Sequence, residues 1–84
     1  MNKGDELLEA GNVSAARLLY EFAADAGLAQ AAMKLAATFD ADELAKLKLV
    51  GVEPNPKEAR RWYERARQLG AADAAQRITR LGAQ

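Results

Sequence analysis

The stretch that decides the fold lies at residues 55–70 and reads NPKEARRWYERARQLG. It contains the signals of one complete helix, namely an N-terminal cap, an apolar face and a C-terminal glycine. Asn55 is a favourable N-cap, Pro56 suits the first helical position, and Gly70 readily adopts the left-handed conformation that ends a helix. Apolar residues between these ends are three or four positions apart, which is helical spacing. The residues predicted to face inward are Ala59, Trp62, Tyr63, Ala66 and Leu69.

The same pattern occurs once more, 43 residues earlier in the chain. When residues 11–39 are aligned with residues 54–82, ten of the 29 positions are identical. The identities are Asn12/Asn55, Ala16/Ala59, Arg17/Arg60, Tyr20/Tyr63, Glu21/Glu64, Ala23/Ala66, Gly27/Gly70, Ala29/Ala72, Ala31/Ala74 and Ala32/Ala75. The matched tyrosines and glycines are the most informative, since an alanine-rich chain matches itself easily. An internal repeat of this length is typical of stacked helical hairpins. In the second copy, the returning helix is predicted over residues 71–81, and the residues predicted to face inward are Ala74, Ala75, Ile78 and Leu81. In the first helix of the first copy, the residues predicted to face inward are Ala16, Leu19, Tyr20 and Ala23.

Composition agrees with an all-α fold. Alanine (20 residues) and leucine (11 residues) dominate the chain, whereas valine and isoleucine together contribute four. Alanine and leucine favour helices and β-branched residues favour strands. We therefore predict an α/α superhelix of two helical-hairpin repeats. The predicted single domain covers residues 1–84, with repeat 1 at 11–39, an insertion at 40–53 and repeat 2 at 54–82.

Two short helices are predicted outside the repeats. The first covers residues 3–10 and ends at Gly11. The second covers residues 41–48, where Asp40 is the expected N-cap and Glu43 follows three positions later. The two repeats are thus preceded by one extra helix and separated by another.

The two repeats differ in the polarity of the helix face opposite their inward residues. Four apolar residues of the first repeat are replaced in the second: Leu18/Arg61, Phe22/Arg65, Met33/Gln76 and Ala37/Arg80. We therefore expect the first repeat to be covered on both sides. The second repeat has the polar outer face that a terminal repeat needs. Specifically, Phe22 is predicted to be buried and Arg65 to be exposed.

Residues 51–70 resemble the Sel-one-like repeat of the tetratricopeptide-type superfamily. That pattern pairs a Gly-Val turn with an Ala-x-x-Trp-Tyr helix, followed by an alanine and a closing glycine. The positions are filled here by Gly51, Val52, Ala59, Trp62, Tyr63, Ala66 and Gly70. Residues 11–39 match more weakly, and the insertion makes the repeat spacing some seven residues longer than is usual in the family. The resemblance implies an α/α protein-interaction scaffold, often bacterial, with no catalytic residues and no cofactor.

The composition also removes several kinds of chemistry. The chain contains no cysteine and no histidine. A thiolate nucleophile, an imidazole base and a Cys/His zinc site are therefore excluded. We find no catalytic constellation, and we expect a non-enzymatic protein without a metal or another cofactor. No secretory signal and no apolar run of membrane-spanning length are visible, so we expect a cytoplasmic protein.

Charge is unevenly distributed although the net charge is zero. Residues 1–43 carry three basic and eight acidic side chains, a balance of −5, and residues 44–84 carry nine basic and four acidic ones, a balance of +5. This polarity suits either self-association or an acidic protein partner. A merely uneven solvated surface is the simpler interpretation. The basic residues 57–67 lack a nucleic-acid-reading motif, so no nucleic-acid partner is expected.

Five charged residues are the candidate partner contacts. Two pairs, Arg17/Glu21 and Arg60/Glu64, recur at matched repeat positions. Arginine preceding glutamate is the weaker order for a pair within one helix, worth at most about 0.5 kcal/mol. Ligand contact and pairing between repeats therefore remain as alternative explanations. The complete candidate set is Arg17, Glu21, Arg60, Glu64 and Arg67.

Other conspicuous residues have structural explanations that we favour. Trp62 and Tyr63 lie on the inward face, so we expect core packing rather than an aromatic binding platform. Asp40, Asp42 and Glu43 are explained by helix capping rather than by a bound cation. The predicted function is a protein–protein interaction module that presents a concave helical surface to a partner segment. The alternative is a capping or regulatory segment of a longer helical-repeat protein, with no ligand of its own.

Overall fold

The computed structural model describes residues 2–82, and within them the chain is all-helical, with six helices and no strand. The helices are α1 (Asn2–Glu9), α2 (Val13–Asp25), α3 (Ala29–Ala37), α4 (Ala41–Lys46), α5 (Pro56–Gln68) and α6 (Ala74–Gly82). The all-α prediction is confirmed.

The predicted N-caps are confirmed. The side-chain oxygen of Asn12 accepts a hydrogen bond from the Ala15 amide at 3.3 Å, and that of Asn55 accepts one from the Glu58 amide at 3.2 Å. Asp40 caps α4 by accepting from the Asp42 amide at 3.1 Å. Each cap satisfies an amide that has no partner inside its helix.

Four helices end in the same way. After α1, α2, α4 and α5, a residue with positive φ is followed by an amide that bonds back to the carbonyl five residues earlier. After α5, for example, Gly70 has a φ of 105° and the Ala71 amide bonds to the Ala66 carbonyl at 2.9 Å. This is the Schellman arrangement, for which glycine is the usual residue. Lys48 replaces glycine after α4, with a φ of 56°.

Helix α6 begins later than the sequence suggests. We predicted a returning helix from Ala71, whereas α6 begins at Ala74. The Ala71 amide is used in the hydrogen bond that ends α5, so Ala71 does not start the next helix. Residues 72–73 then form a turn, and the Ala74 amide bonds to the Ala71 carbonyl at 3.3 Å. The chain needs these residues to reverse direction.

The helices pack as a chain of neighbours: α1 on α2, α2 on α3, α3 on α5, and α5 on α6, with the α3–α5 contact the most extensive. Helix α4 touches α3 only lightly. Alanines dominate the core, and its aromatic members are Tyr20, Trp62 and Tyr63. Methyl side chains allow close approach of helix backbones, while the aromatic rings fill the remaining volume.

The predicted covering of the first repeat is wrong on α2. Phe22 is 78% exposed and Leu18 is 69% exposed. The buried residues of α2 lie on the opposite side of that helix, where α1 and α3 pack, so none of the six described helices covers these two side chains. Leu19 and Ala75 were also predicted to face inward and are exposed. Arg65 is exposed, as predicted.

Candidate interaction surface

The most exposed large apolar side chains on a helix lie along α2. Leu18, Phe22 and Asp25 occupy positions i, i+4 and i+7, so they form one line along the helix surface, which we call the α2 stripe. It faces away from the core residues Ala16 and Tyr20. An exposed apolar patch of this kind is a common feature of binding surfaces.

The α2 stripe leads into a cleft of about 320 Å³ at the C-terminal end of α2, which we call the α2–α5 cleft. Its lining residues are Asp25, Arg61, Trp62, Glu64, Arg65 and Gln68. Within residues 2–82 the side chains of Asp25 and Arg65 have no ionic or hydrogen-bonding partner. Arg61 lies 5.1 Å from the centre of the Trp62 ring and pairs with Glu58 at 3.4 Å. The cleft therefore combines an aromatic edge with charges of both signs.

Arg17, the first candidate contact residue, points inward. Its Nε donates to Thr38 Oγ1 at 3.0 Å, and an Nη donates to the Thr38 carbonyl at 2.6 Å. The guanidinium also lies 4.0 Å from the centre of the Phe39 ring. Partial burial lowers the pKa of Arg17. These contacts join α2 to the end of α3, so Arg17 already has a structural role.

The other four candidate residues lie towards solvent. Glu21 and Arg60 are exposed, and neither side chain has a partner within residues 2–82. Arg67 pairs with Glu64 one turn away, at 2.9 Å. Pairing between repeats, one of the two alternative explanations for these residues, is not found among the described residues. Of the candidates, Glu21 and Arg60 are the ones whose charges are available for a partner.

The two aromatic candidates and Asp40 take their predicted structural roles. Trp62 is 6% exposed and Tyr63 is fully buried, so both belong to the core, although Trp62 also lines the α2–α5 cleft. Asp40 is buried and caps α4. Over residues 2–82 no cluster of three or more acidic side chains is arranged to hold a metal ion.

A buried polar network at the second repeat was not anticipated from the sequence. Asp40 is 1% exposed, and its carboxylate accepts hydrogen bonds from the Tyr63 hydroxyl at 2.7 Å and from Arg80. Arg77 bonds the same hydroxyl at 3.4 Å and pairs with Glu43 at 3.2 Å. This network attaches the inserted helix α4 to α5 and α6.

The first repeat contains a matching network. Asp5 of α1 accepts from the Tyr20 hydroxyl at 2.6 Å and from Lys34 at 2.6 Å. Tyr20 and Lys34 are the residues that align with Tyr63 and Arg77 in the repeat. The spacing of tyrosine and cation that the two repeats share was therefore the sequence signal for this network. Asp5 and Asp40 do not align in the repeat, so the alignment alone does not identify the carboxylates that complete the two networks.

Both networks change proton affinities. Burial, together with the hydrogen bond to Asp5, raises the pKa of Tyr20 well above its usual range, and burial with the hydrogen bond to Asp40 does the same for Tyr63. The hydrogen bond from Lys34, with a second from Tyr20, holds the pKa of Asp5 below its usual value. The two hydroxyls therefore stay protonated and hold their helices together by donating hydrogen bonds to Asp5 and Asp40.

Within residues 2–82, no helix is long and apolar enough to cross a membrane. Comparison of the chain with protein-family models, with curated proteins and with solved structures finds no match.

Proposed function

We propose that this chain is a non-enzymatic protein–protein interaction module of the tetratricopeptide or Sel-one-like type, and that α2 and α5 together form the surface offered to a partner segment. The observation that carries the proposal is the exposure of Phe22, 78% in a domain that buries its other aromatic residues more fully. Burying an exposed Phe or Leu side chain is worth roughly 1.5–3 kcal/mol. The α2 stripe thus offers a substantial part of the free energy of a weak complex.

The repeat geometry supports the proposed family. The two repeats share their caps, their Schellman termini and their tyrosine networks, and the helices contact one another in chain order apart from α4. Stacked repeats of this type present long, rigid surfaces to their partners. In the proposed superhelix, α2 and α5 are the equivalent first helices of successive hairpins and line the concave side.

Charge favours a protein partner over a nucleic acid. The exposed basic residues of α5 are interspersed with Glu58 and Glu64, which pair with Arg61 and Arg67. Only part of the positive charge is therefore free. An acidic protein segment that also carries apolar residues fits this surface better than a continuous phosphate backbone does.

The capping alternative is supported by a different observation. Arg77 and Arg80 of α6 are used within the domain, on Glu43 and Asp40. Gln76 and Thr79 make the exposed face of α6 polar. A segment of this kind would close the end of a longer helical array without binding a partner of its own.

Affinity capture from a lysate of the source organism tests the proposal. The baits are the wild type, Phe22→Ser and a matched control, Val50→Ser, which removes an even more exposed apolar side chain from the connector (96% exposed). Circular dichroism establishes that all three are folded. We expect one protein to be retained by the wild type and by Val50→Ser and to be lost by Phe22→Ser. Equal retention by all three baits, or no specific protein with any bait when the wild type is also monomeric, contradicts the proposal and favours the cap.

A further inference from the structure

We propose that the surface described under the proposed function binds a second copy of this chain, with Phe22 of each copy seated in the α2–α5 cleft of the other. The inference rests on the proposed function, because it uses the same surface and names its partner. A dimer of this kind has twofold symmetry, in which the same patch of both copies is used. Such a patch must contain both a projecting group and a recess for it.

The shapes meet this requirement. Phe22 projects from α2 one turn before Asp25, and Asp25 lines the cleft, so projection and recess lie side by side. The cleft volume of about 320 Å³ leaves room for a phenyl ring. A phenyl ring entering the cleft meets Trp62, which lines it, and aromatic rings attract one another in edge-to-face or offset geometry.

The charges also suit a symmetric contact between two copies. Glu21 is exposed and lies about 100° around α2 from Phe22, so its long side chain comes within reach of the opposing cleft when Phe22 enters it. Arg65 lines that cleft, and neither Glu21 nor Arg65 has a partner within residues 2–82 of its own copy. The twofold axis makes this contact twice. Because the net charge of the chain is zero, no overall repulsion opposes the pairing of copies.

Sedimentation equilibrium over a range of concentrations is the first test. We expect the wild type and Val50→Ser to change from monomer mass to dimer mass as concentration rises, and Phe22→Ser to remain a monomer throughout. Trp62 is the only tryptophan, so its fluorescence emission should shift on dilution in the wild type and not in Phe22→Ser. A wild type that stays monomeric at every concentration, or a Phe22→Ser variant that still dimerises, overturns the proposal.

A charge exchange tests the orientation of the two copies. Glu21→Arg alone places the new guanidinium against Arg65 of the other copy, and Arg65→Glu alone places two carboxylates together. Each variant should therefore dimerise more weakly than the wild type. A mixture of the two variants restores an opposite-charge contact between unlike copies, so we expect the mixture to recover dimer mass at concentrations where each variant alone is monomeric. Failure of the mixture to recover rejects the Glu21–Arg65 contact.

The results separate this inference from the proposed function. If the wild type is monomeric but retains another protein that Phe22→Ser loses, the surface is an interaction surface and the second copy is the wrong partner. If Phe22→Ser changes neither the mass nor the captured proteins, both proposals are rejected together.

Discussion

At the scale of single residues, the two tyrosine hydroxyls have the clearest energetic roles. Tyr20 of α2 donates a hydrogen bond to Asp5 of the preceding helix α1. Tyr63 of α5 donates one to Asp40, the N-cap of the preceding helix α4. The surroundings of the two carboxylates differ. The Asp40 side chain is fully buried, whereas that of Asp5 is 36% exposed.

This difference predicts unequal effects of removing the hydroxyls. Tyr63→Phe takes a donor from a buried carboxylate and should lower the free energy of unfolding by about 1.5–3 kcal/mol, the range for hydrogen bonds to charged groups. Tyr20→Phe should cost less, because water can solvate Asp5 in its place. Urea denaturation of both variants beside the wild type measures the two losses. A Tyr20→Phe loss as large as that of Tyr63→Phe would contradict this explanation.

Raised tyrosine pKa values predict loss of stability in alkali. A raised folded-state pKa means that the folded protein holds the proton more tightly than the unfolded chain, whose tyrosine pKa is about 10. The resulting stability is present below that pH and is lost as the pH rises through it towards the folded pKa values. We expect unfolding and tyrosinate absorbance to appear together, since Tyr20 and Tyr63 are the only tyrosines.

The double variant Tyr20→Phe/Tyr63→Phe is the control for this pH dependence. It should be less stable than the wild type at neutral pH, but its stability should fall less between neutral and alkaline pH. If the wild type ionises both tyrosines near a pH of about 10 while still folded, as circular dichroism would show, the hydroxyls are not held as described.

At the scale of secondary-structure elements, helix ends were more predictable than helix faces. The caps and glycine termini depend on local chemistry within a few residues, so Asn12, Asn55, Gly27 and Gly70 identify their helices directly. Which side of α2 is covered depends on elements that are distant in the chain. The pattern of apolar residues alone therefore led to the wrong prediction for Phe22.

The packing of α1 gives a prediction that runs against ordinary helix propensity. A Cβ added at Gly4 would lie 2.7 Å from Cε1 of the buried Tyr20 ring, so an alanine there must displace α1 or the ring. Replacing glycine by alanine inside a helix normally stabilises it by up to about 1 kcal/mol. Here we expect Gly4→Ala to destabilise the domain by about 1–3 kcal/mol, the usual cost of overpacking.

Gly82→Ala is the matched control. Gly82 also lies in a helix, and nothing is within 4 Å of an added Cβ. Thermal denaturation should show a lower midpoint for Gly4→Ala and an unchanged or higher one for Gly82→Ala. A stabilising Gly4→Ala would mean that α1 does not pack against Tyr20 as described.

At the scale of the whole molecule, the order of helix contacts should determine local stability. Helix α3 packs between α2 and α5, whereas α1 and α6 each pack mainly on one neighbour. A helix that packs on one neighbour loses fewer contacts when it opens than a helix that packs between two, so the ends should open at lower free-energy cost than the middle.

Native-state amide hydrogen exchange measures this gradient. We expect the slowest exchange in α3 and α5 and faster exchange in α1 and α6. The network of Asp40 and Tyr63 gives a second expectation. In the Tyr63→Phe variant, amide exchange should become faster in α4 and α6 more than in α2. Uniform exchange over all of these helices would show that the domain opens only as one unit, without the predicted gradient.

The sequence by itself determined the class of fold and most helix boundaries. Helix propensity, capping and glycine termini act over a few neighbouring residues, so they can be read along the chain. It also identified Trp62 and Tyr63 as inward residues, because helical spacing puts them on one face with Ala59 and Ala66.

Only the tertiary structure decided which charges and apolar residues are free. Arg17 and Glu21 look alike in the repeat alignment, yet Arg17 is bonded to Thr38 and Glu21 has no partner within residues 2–82. Phe22 has the sequence context of a core residue, and it is exposed because no described helix reaches its side of α2. Pairing and burial depend on groups far apart in the chain, and these meet only when the helices pack.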